Sequence, residues 1–158
     1  MNSSAAAGTL SPVIRPALEA DLPRVLALLE RSVLPTVGVV EIWPDFLVAE
    51  SGGDIVGVVG VEACGDGYAL LRSTAVADEW RRRGLGRTLV ERAIADARGR
   101  GVDALYLLTT TAEAYFPSFG FSRVSREEVP VAVQGTEEFS SACPASAAVM
   151  MLSLREAS

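Results

Sequence analysis

Histidine and lysine are both absent from this 158-residue chain. Without histidine there can be no Ser-His-Asp triad, no Cys-His pair and no His-ligated zinc. A general base must then be a carboxylate, a tyrosine, a thiol or a water held by one of them. Without lysine the Gly-Lys-Ser/Thr ending of a P-loop is impossible. Cysteine is scarce: Cys64 and Cys143 stand far apart and form no metal-ligand spacing, so no metal is expected. No apolar run approaches the ~20 residues of a membrane span. The opening MNSSAAAGTLSP has neither the basic start nor the leucine-rich core of a signal peptide. The expectation is a cytoplasmic protein with two reduced thiols and no membrane partner.

About half of the chain is apolar (49%), which predicts a globular protein rather than a disordered one. The length fits one domain over 12–156, preceded by a mobile lead-in at 1–11. All fourteen basic residues are arginine, against twenty acids, for a net charge of −6. That balance argues against nucleic acid, whose binding is driven by displaced counterions. The run Arg81-Arg82-Arg83 is a basic spot on an acidic protein, which suits a small polyanion.

Taken in order, Val13-Ile14-Arg15 reads as a short extended opener. Asp21 reads as the N-cap of a helix carrying Leu22, Val25, Leu26, Leu28 and Leu29, with Pro23 tolerated in its first turn. Pro35 and Gly38 make 32–44 a loop, with room for a short second helix. Strands are predicted over 46–49, 55–63 and 68–76, joined by Ser51-Gly52-Gly53-Asp54 and Gly65-Asp66-Gly67 as turns. Together they form an antiparallel meander. A helix over 84–98 follows, with Leu85, Leu89, Val90, Ala93, Ile94 and Ala97 on one face, stopped by Gly99 and Gly101. A buried strand at 104–108 then completes a right-handed parallel crossover. A short helix over 112–118, a strand over 121–124, turns near Glu127 and Glu137, and a last strand over 147–154 close the chain. The fold class is mixed α/β, a mostly antiparallel sheet with one βαβ unit.

The residues joining the strand at 68–76 to its helix form an anion cradle. The first amides of a helix have no intrahelical partner, and the helix dipole adds partial positive charge there. Gly84 and Gly86 let a ligand approach the main chain, and a pyrophosphate is the anion that fits best. The dinucleotide fingerprint fails, because its third small position is Leu89. What fits is Arg/Gln-x-x-Gly-x-Gly/Ala, filled by Arg81, Gly84 and Gly86 after a strand ending in Ala75-Val76. This stretch resembles the acetyl-CoA pyrophosphate loop of the GNAT N-acetyltransferase superfamily. The order of elements from Val13 to Val124 is similar as well. The segment LLTTTAEAYFPSFGF (107–121) resembles amino-acid N-acetyltransferases of the N-acetylglutamate synthase type. The tail EEVPVAVQGTEEFSSACPASAAVM (127–150) resembles small arsenic-resistance-associated acetyltransferases.

The resemblance implies acetyl-CoA as co-substrate and a small-molecule amine as acceptor. Arg81, Arg82, Arg83, Gly84, Leu85, Gly86, Arg87 and Thr88 would grip the pyrophosphate. Ala75 and Val76 would pair with the pantetheine arm, which lies between strands that splay apart. A backbone N–H at a strand bulge, expected at Ser73 to Ala75, would polarise the thioester carbonyl. Glu62 is the candidate base, its alternative an ordinary edge glutamate. Glu113 is a second candidate, or simply an acid favouring a helix start. For the thiolate acid the family usually places a tyrosine four residues before the Gly of a Gly-Phe pair. Here Gly120 fixes that position as Phe116, and Tyr115 stands one residue earlier, turned by ~100° on a helix.

Arg72 would meet either a substrate carboxylate or Glu62 on the neighbouring strand. Thr110 is expected beside the acceptor, and the synthases' strand-end arginine is replaced by Thr111. Ile42 and Trp43 either line the acceptor pocket or pack onto the sheet. Cys64 and Cys143 bind trivalent arsenic only if they meet in space; otherwise they are small buried hydrophobes. The reading is an N-acetyltransferase for an amino acid or analogue, an arsenical among them. The alternatives are a protein or peptide N-acetyltransferase and a CoA-binding regulatory module without turnover. Subunit pairing, common in the family, makes a homodimer possible.

Overall fold

In the computed structural model, residues 12–32, 34, 36, 39, 45–109, 114–136, 139 and 147–155 are described. The six apolar residues singled out at 85, 89, 90, 93, 94 and 97 are all buried. The helix that carries them, α2 (Leu85–Gly99), lies against the sheet. Its seat is cut to fit: a Cβ on Gly57 would come 2.7 Å from Leu89 Cδ1 and 3.3 Å from Leu85 Cδ2. A side chain at that point of the neighbouring strand would have to displace the buried tips of Leu89 and Leu85 at the head of α2. The helix stops in a Schellman motif. Val102 N–H bonds the Ala97 carbonyl at 3.0 Å and Gly101 N–H the Arg98 carbonyl at 3.1 Å, with Gly101 at φ +84°.

The sheet has seven strands in the order β1-β2-β3-β4-β5-β7-β6. They are β1 (Val13–Pro16), β2 (Phe46–Ser51), β3 (Asp54–Gly65), β4 (Tyr68–Val76), β5 (Ala104–Thr109), β6 (Ser122–Val124) and β7 (Ala148–Ser153). The β2-β3-β4 meander is antiparallel, and both of its turns use positive φ at the expected glycines. β4 and β5, joined through α2, form the single parallel pair among the described residues. The last strand does not simply follow β6: β7 inserts between β5 and β6, antiparallel to both.

Two further helices are described, α1 (Leu22–Arg31) and α3 (Val131–Gln134). Asp21 stands just before α1 but makes no side-chain cap, which corrects its expected role. The reason is a stronger partner: its buried carboxylate accepts from Leu18 N–H at 2.7 Å. It also pairs with Arg15 at 2.7 Å and Arg24 at 3.1 Å. The short helix predicted over 112–118 appears as a 3₁₀ turn at Phe116–Phe119 with Pro117 inside it. Thr110, Thr111 and Glu113 lie outside the described residues, as do Ile42, Trp43, Glu137 and Cys143, and most of 32–44. Among the described residues no helix is long and apolar enough to cross a membrane.

Candidate active site

The site is built where β4 leaves β5. β4 pairs with β5 only over Tyr68–Leu70, against Ala104–Tyr106. Both strands continue beyond that point, β4 to Val76 and β5 to Thr109. Past Leu70 they therefore part, and the β5-facing side of β4 has no ladder partner among the described residues. An opening at the carboxyl ends of adjacent parallel strands is the usual place for a ligand in sheets of this kind. Its free backbone edge can pair with an extended amide-bearing arm as a strand would. Ala75 and Val76 lie on that stretch, held from the other side by Val58 and Gly57.

A bulge interrupts β4 at the place expected for it. Val58 opposes Ala75 and Gly60 opposes Arg72, so Ser73 and Thr74 together face one residue, Val59. Ser73 has φ +58°, a left-handed conformation that costs a non-glycine residue of the order of 1 kcal/mol. Such a bulge turns backbone groups out of the ladder. Beside it, the Arg72 side chain is 0% exposed and meets the Glu62 carboxylate, itself 17% exposed, at 3.1 Å. Arg72 Nε also donates to Ser73 Oγ at 3.2 Å. Of the two partners open to Arg72, the folded chain provides Glu62. A buried guanidinium left unpaired would be severely destabilising. The pair fixes Glu62 on the bulge side of β3.

At the mouth of the opening stands the head of α2. The helix ladder begins with Thr88 N–H on the Gly84 carbonyl at 3.0 Å. The amides of Leu85, Gly86 and Arg87 precede it and project from the helix start. Gly84 sits at φ +83° with nothing within 4 Å of the place its Cβ would take. Over Gly86, the same point lies 3.6 Å from Val76 Cγ2 and 3.8 Å from the Tyr115 hydroxyl. The cradle is thus open at Gly84 and bordered by Val76 and Tyr115 at Gly86, and a diphosphate fits the donors it presents.

The arginines differ in what they do. Arg81 donates to the Val76 carbonyl at 3.1 Å and pairs with Asp78 at 3.0 Å, so it braces the turn. Arg82 takes φ +65°, and Arg83 lies 5.0 Å over the Trp80 ring. Arg87 turns away from the cradle to Ser118 Oγ at 2.7 Å, while Thr88 Oγ1 donates to the Gly84 carbonyl at 3.0 Å. Leu85 sends its side chain into the core and offers the site only its amide. A cleft adjoining the cradle runs between the end of α1, at Leu28, Arg31 and Ser32, and residues 76–79 with Arg81. Neither α1 nor Trp80 figured among the expected site residues. Trp80 three positions before Arg83 was the one signal that could have shown the stack.

Phe116, at the position where the resemblance places the family's acid, is buried among Phe119 and Phe121. Tyr115 is 40% exposed. Partial burial pushes its hydroxyl up from the ordinary tyrosine value, against the smaller opposing pull of Arg87, so it stays protonated at neutral pH. Cys64 donates to the Glu62 carbonyl at 3.4 Å, and burial, with the Glu62 charge adding, pushes its thiol up to about 12. It behaves as a half-buried structural thiol. Among the described residues no group of three His, Cys, Asp or Glu side chains is placed to hold a metal ion.

Comparison with known proteins matches residues 43–123 to the family described as Acetyltransferase (GNAT) domain. An uncharacterized N-acetyltransferase of Chlorobaculum tepidum is 33% identical over 103 residues, covering 65% of this chain and 64% of the relative. Among solved structures, the N-acetylglutamate synthase of Neisseria gonorrhoeae, complexed with coenzyme A and N-acetyl-glutamate, superposes with a TM-score of 0.79. It shares 21% identity over 93% of this chain but only 36% of its own. Rv2747 of Mycobacterium tuberculosis, also in complex with CoA, gives a TM-score of 0.76 at 22% identity over 90% of this chain and 99% of its own. This chain thus spans less than two thirds of the curated relative and about a third of the synthase.

Proposed function

The chain belongs to the GNAT acetyltransferase family, and from that premise we propose that it is an acetyl-CoA-dependent N-acetyltransferase. Its acceptor is a small amine, an amino acid or an amino-acid analogue. The observation that carries this reading is the parting of β4 from β5 between the Ser73 bulge and the open head of α2. The bulge and the helix head lie at opposite ends of one free strand edge, which supports reading the first as the carbonyl-polarising element and the second as the anion cradle.

Acetyl-CoA, when bound, supplies an activated acyl group as a thioester: the C–N bond forms as the C–S bond breaks, and CoA leaves as a thiol with the proton that the acylated nitrogen sheds. The chain's own residues supply the rest. The amides of Leu85, Gly86 and Arg87 hold the diphosphate, and each charge-assisted bond contributes about 1.5–3 kcal/mol. The main chain at Ala75 and Val76 pairs with the pantetheine amides. The backbone N–H turned out by the bulge at Ser73 takes the developing oxyanion. An alkyl ammonium must lose a proton before it can attack. In this reading Glu62 accepts it, directly or through a water, and its ion pair with Arg72 holds the carboxylate in position. An arsenical amino acid is one member of the acceptor class, supported by the resemblance of 127–150. A cytosolic setting is consistent with that role.

Release of free CoA from acetyl-CoA across a panel of amino acids, including an arsenical one, tests the proposal. The expected result is turnover with at least one amino acid. Turnover with peptides alone would replace the acceptor class, and tight acetyl-CoA binding with no turnover on any amine would leave a binding module.

A further inference from the structure

The hydroxyl of Tyr115 stands over the cradle and not over the bulge. It lies 3.8 Å from the point where a Gly86 Cβ would be, with Val76 Cγ2 3.6 Å from that same point. A ligand oxygen touching Gly86 on that side lies farther out than the Cβ point, in the space that the Tyr115 hydroxyl borders, where an O–H···O bond of about 2.7 Å can form. Val76 is three residues beyond Ser73, about 10 Å along the strand at ~3.3 Å per residue. The hydroxyl is therefore tied to the diphosphate end of the opening, away from the end where acyl transfer is polarised. Among the described residues it makes no hydrogen bond of its own.

What holds the tyrosine there is Arg87, from the same first turn of α2 that forms the cradle. Its guanidinium donates to Ser118 Oγ at 2.7 Å and lies 4.5 Å over the Phe119 ring. Ser118 Oγ in turn bonds the Tyr115 carbonyl at 2.8 Å. The Tyr115 ring is wedged edge-on against Phe119 at 5.2 Å and Phe116 at 5.3 Å. Arg87 is steadied from behind by Glu91 at 3.6 Å. Side chain, 3₁₀ turn and helix head thus form one strap across the mouth of the opening.

We propose that Tyr115 is a coenzyme-binding residue whose hydroxyl donates to the diphosphate at the head of α2, and that Arg87 is the residue that positions it. The proposal rests on the acetyl-CoA reading above and gives Tyr115 a role other than thiolate acid. Two quantities separate the roles: the dissociation constant for CoA by calorimetry, and kcat at saturating acetyl-CoA. Tyr115→Phe weakens CoA binding roughly tenfold, the loss of one hydrogen bond to a charged group, and leaves kcat within about twofold. Arg87→Met gives the same split. In the Tyr115→Phe background Arg87→Met adds little further loss, a non-additivity that a purely structural or purely electrostatic arginine would not produce. A fall in kcat with unchanged CoA affinity, together with a change in the alkaline limb of the pH profile, would put Tyr115 at the sulfur and overturn the proposal. Unchanged affinity and unchanged kcat would overturn it too. Wild-type protein that binds no CoA would instead remove the acetyltransferase reading beneath it.

Discussion

Replacing Glu62 by Gln separates the two things that this carboxylate is asked to do. The substitution keeps the shape and removes the charge that faces Arg72 at 3.1 Å. Arg72 is fully buried and Glu62 only 17% exposed, so the ion pair is poorly screened. One charge-assisted bond to a charged group contributes about 1.5–3 kcal/mol. Arg72 keeps Ser73 and other contacts, so the lower part of that range applies. A loss of about 1.5–2 kcal/mol lowers Tm by roughly 3–8 °C in a chain of this length. Arg72→Met leaves Glu62 without its partner and costs a similar amount. The double variant recovers part of the summed loss, because neither charge is then stranded. Activity follows a different pattern. If Glu62 takes the proton from the ammonium, kcat/KM falls by about 10²–10⁴ in Glu62→Gln and is not restored in the double variant. Thermal unfolding and initial rates on the same four proteins complete the cycle. A Glu62→Gln protein that loses stability but keeps kcat/KM within threefold would refute the catalytic role and leave the pair a purely structural one.

The remaining predictions concern the cradle and the support of β1. Gly86→Val should raise the dissociation constant for CoA at least tenfold, about the loss of one charge-assisted contact. Its Cβ meets Val76 and Tyr115 at ordinary contact distance and its two methyls stand beyond that point; calorimetry reads the affinity with melting as the check on folding, and unaltered affinity would mean that no ligand comes over Gly86. Arg82→Gly relieves the left-handed φ of +65° and should raise stability by up to about 1 kcal/mol, measured by urea denaturation; destabilisation would show that the Arg82 side chain holds the turn. Asp21 is held below the ordinary carboxylate value, first by the Arg15 hydrogen bonds and further by Leu18 N–H and Arg24, against burial. A depressed folded value contributes stability that is complete above about pH 4 and is lost as pH falls through the folded value. The stability gap between the native chain and Asp21→Asn should accordingly shrink below about pH 4, and a gap constant from pH 7 to pH 3 would contradict the assignment.

Much of this arrangement is legible in the residues themselves. The apolar positions of α2 follow a 3.6-residue period and are all buried. The glycine turns of the meander carry the positive φ that their composition implies. The crossover from β4 through α2 to β5 joins a parallel pair, as a strand, a helix and a strand in succession imply. What local pattern does not encode is which strands become neighbours over long range. The insertion of β7 between β5 and β6 and the register that sets Arg72 beside Glu62 both depend on pairings far apart in sequence. Asp21 shows the same limit from another side. Its type and place predict a cap, but Arg15, six residues earlier and on a different element, offers a stronger bond. Tyr115 was located by residue type, yet its direction depends on Arg87 and Ser118, whose meeting spans 31 residues.

The central claim is that the first amides of α2 hold the diphosphate of acetyl-CoA. Calorimetric titration of the purified protein with acetyl-CoA tests it most directly, with Gly86→Val as the paired control. The account predicts binding at one site per chain, weakened by the substitution. No heat with the wild-type protein, or equal affinity in both, would contradict it.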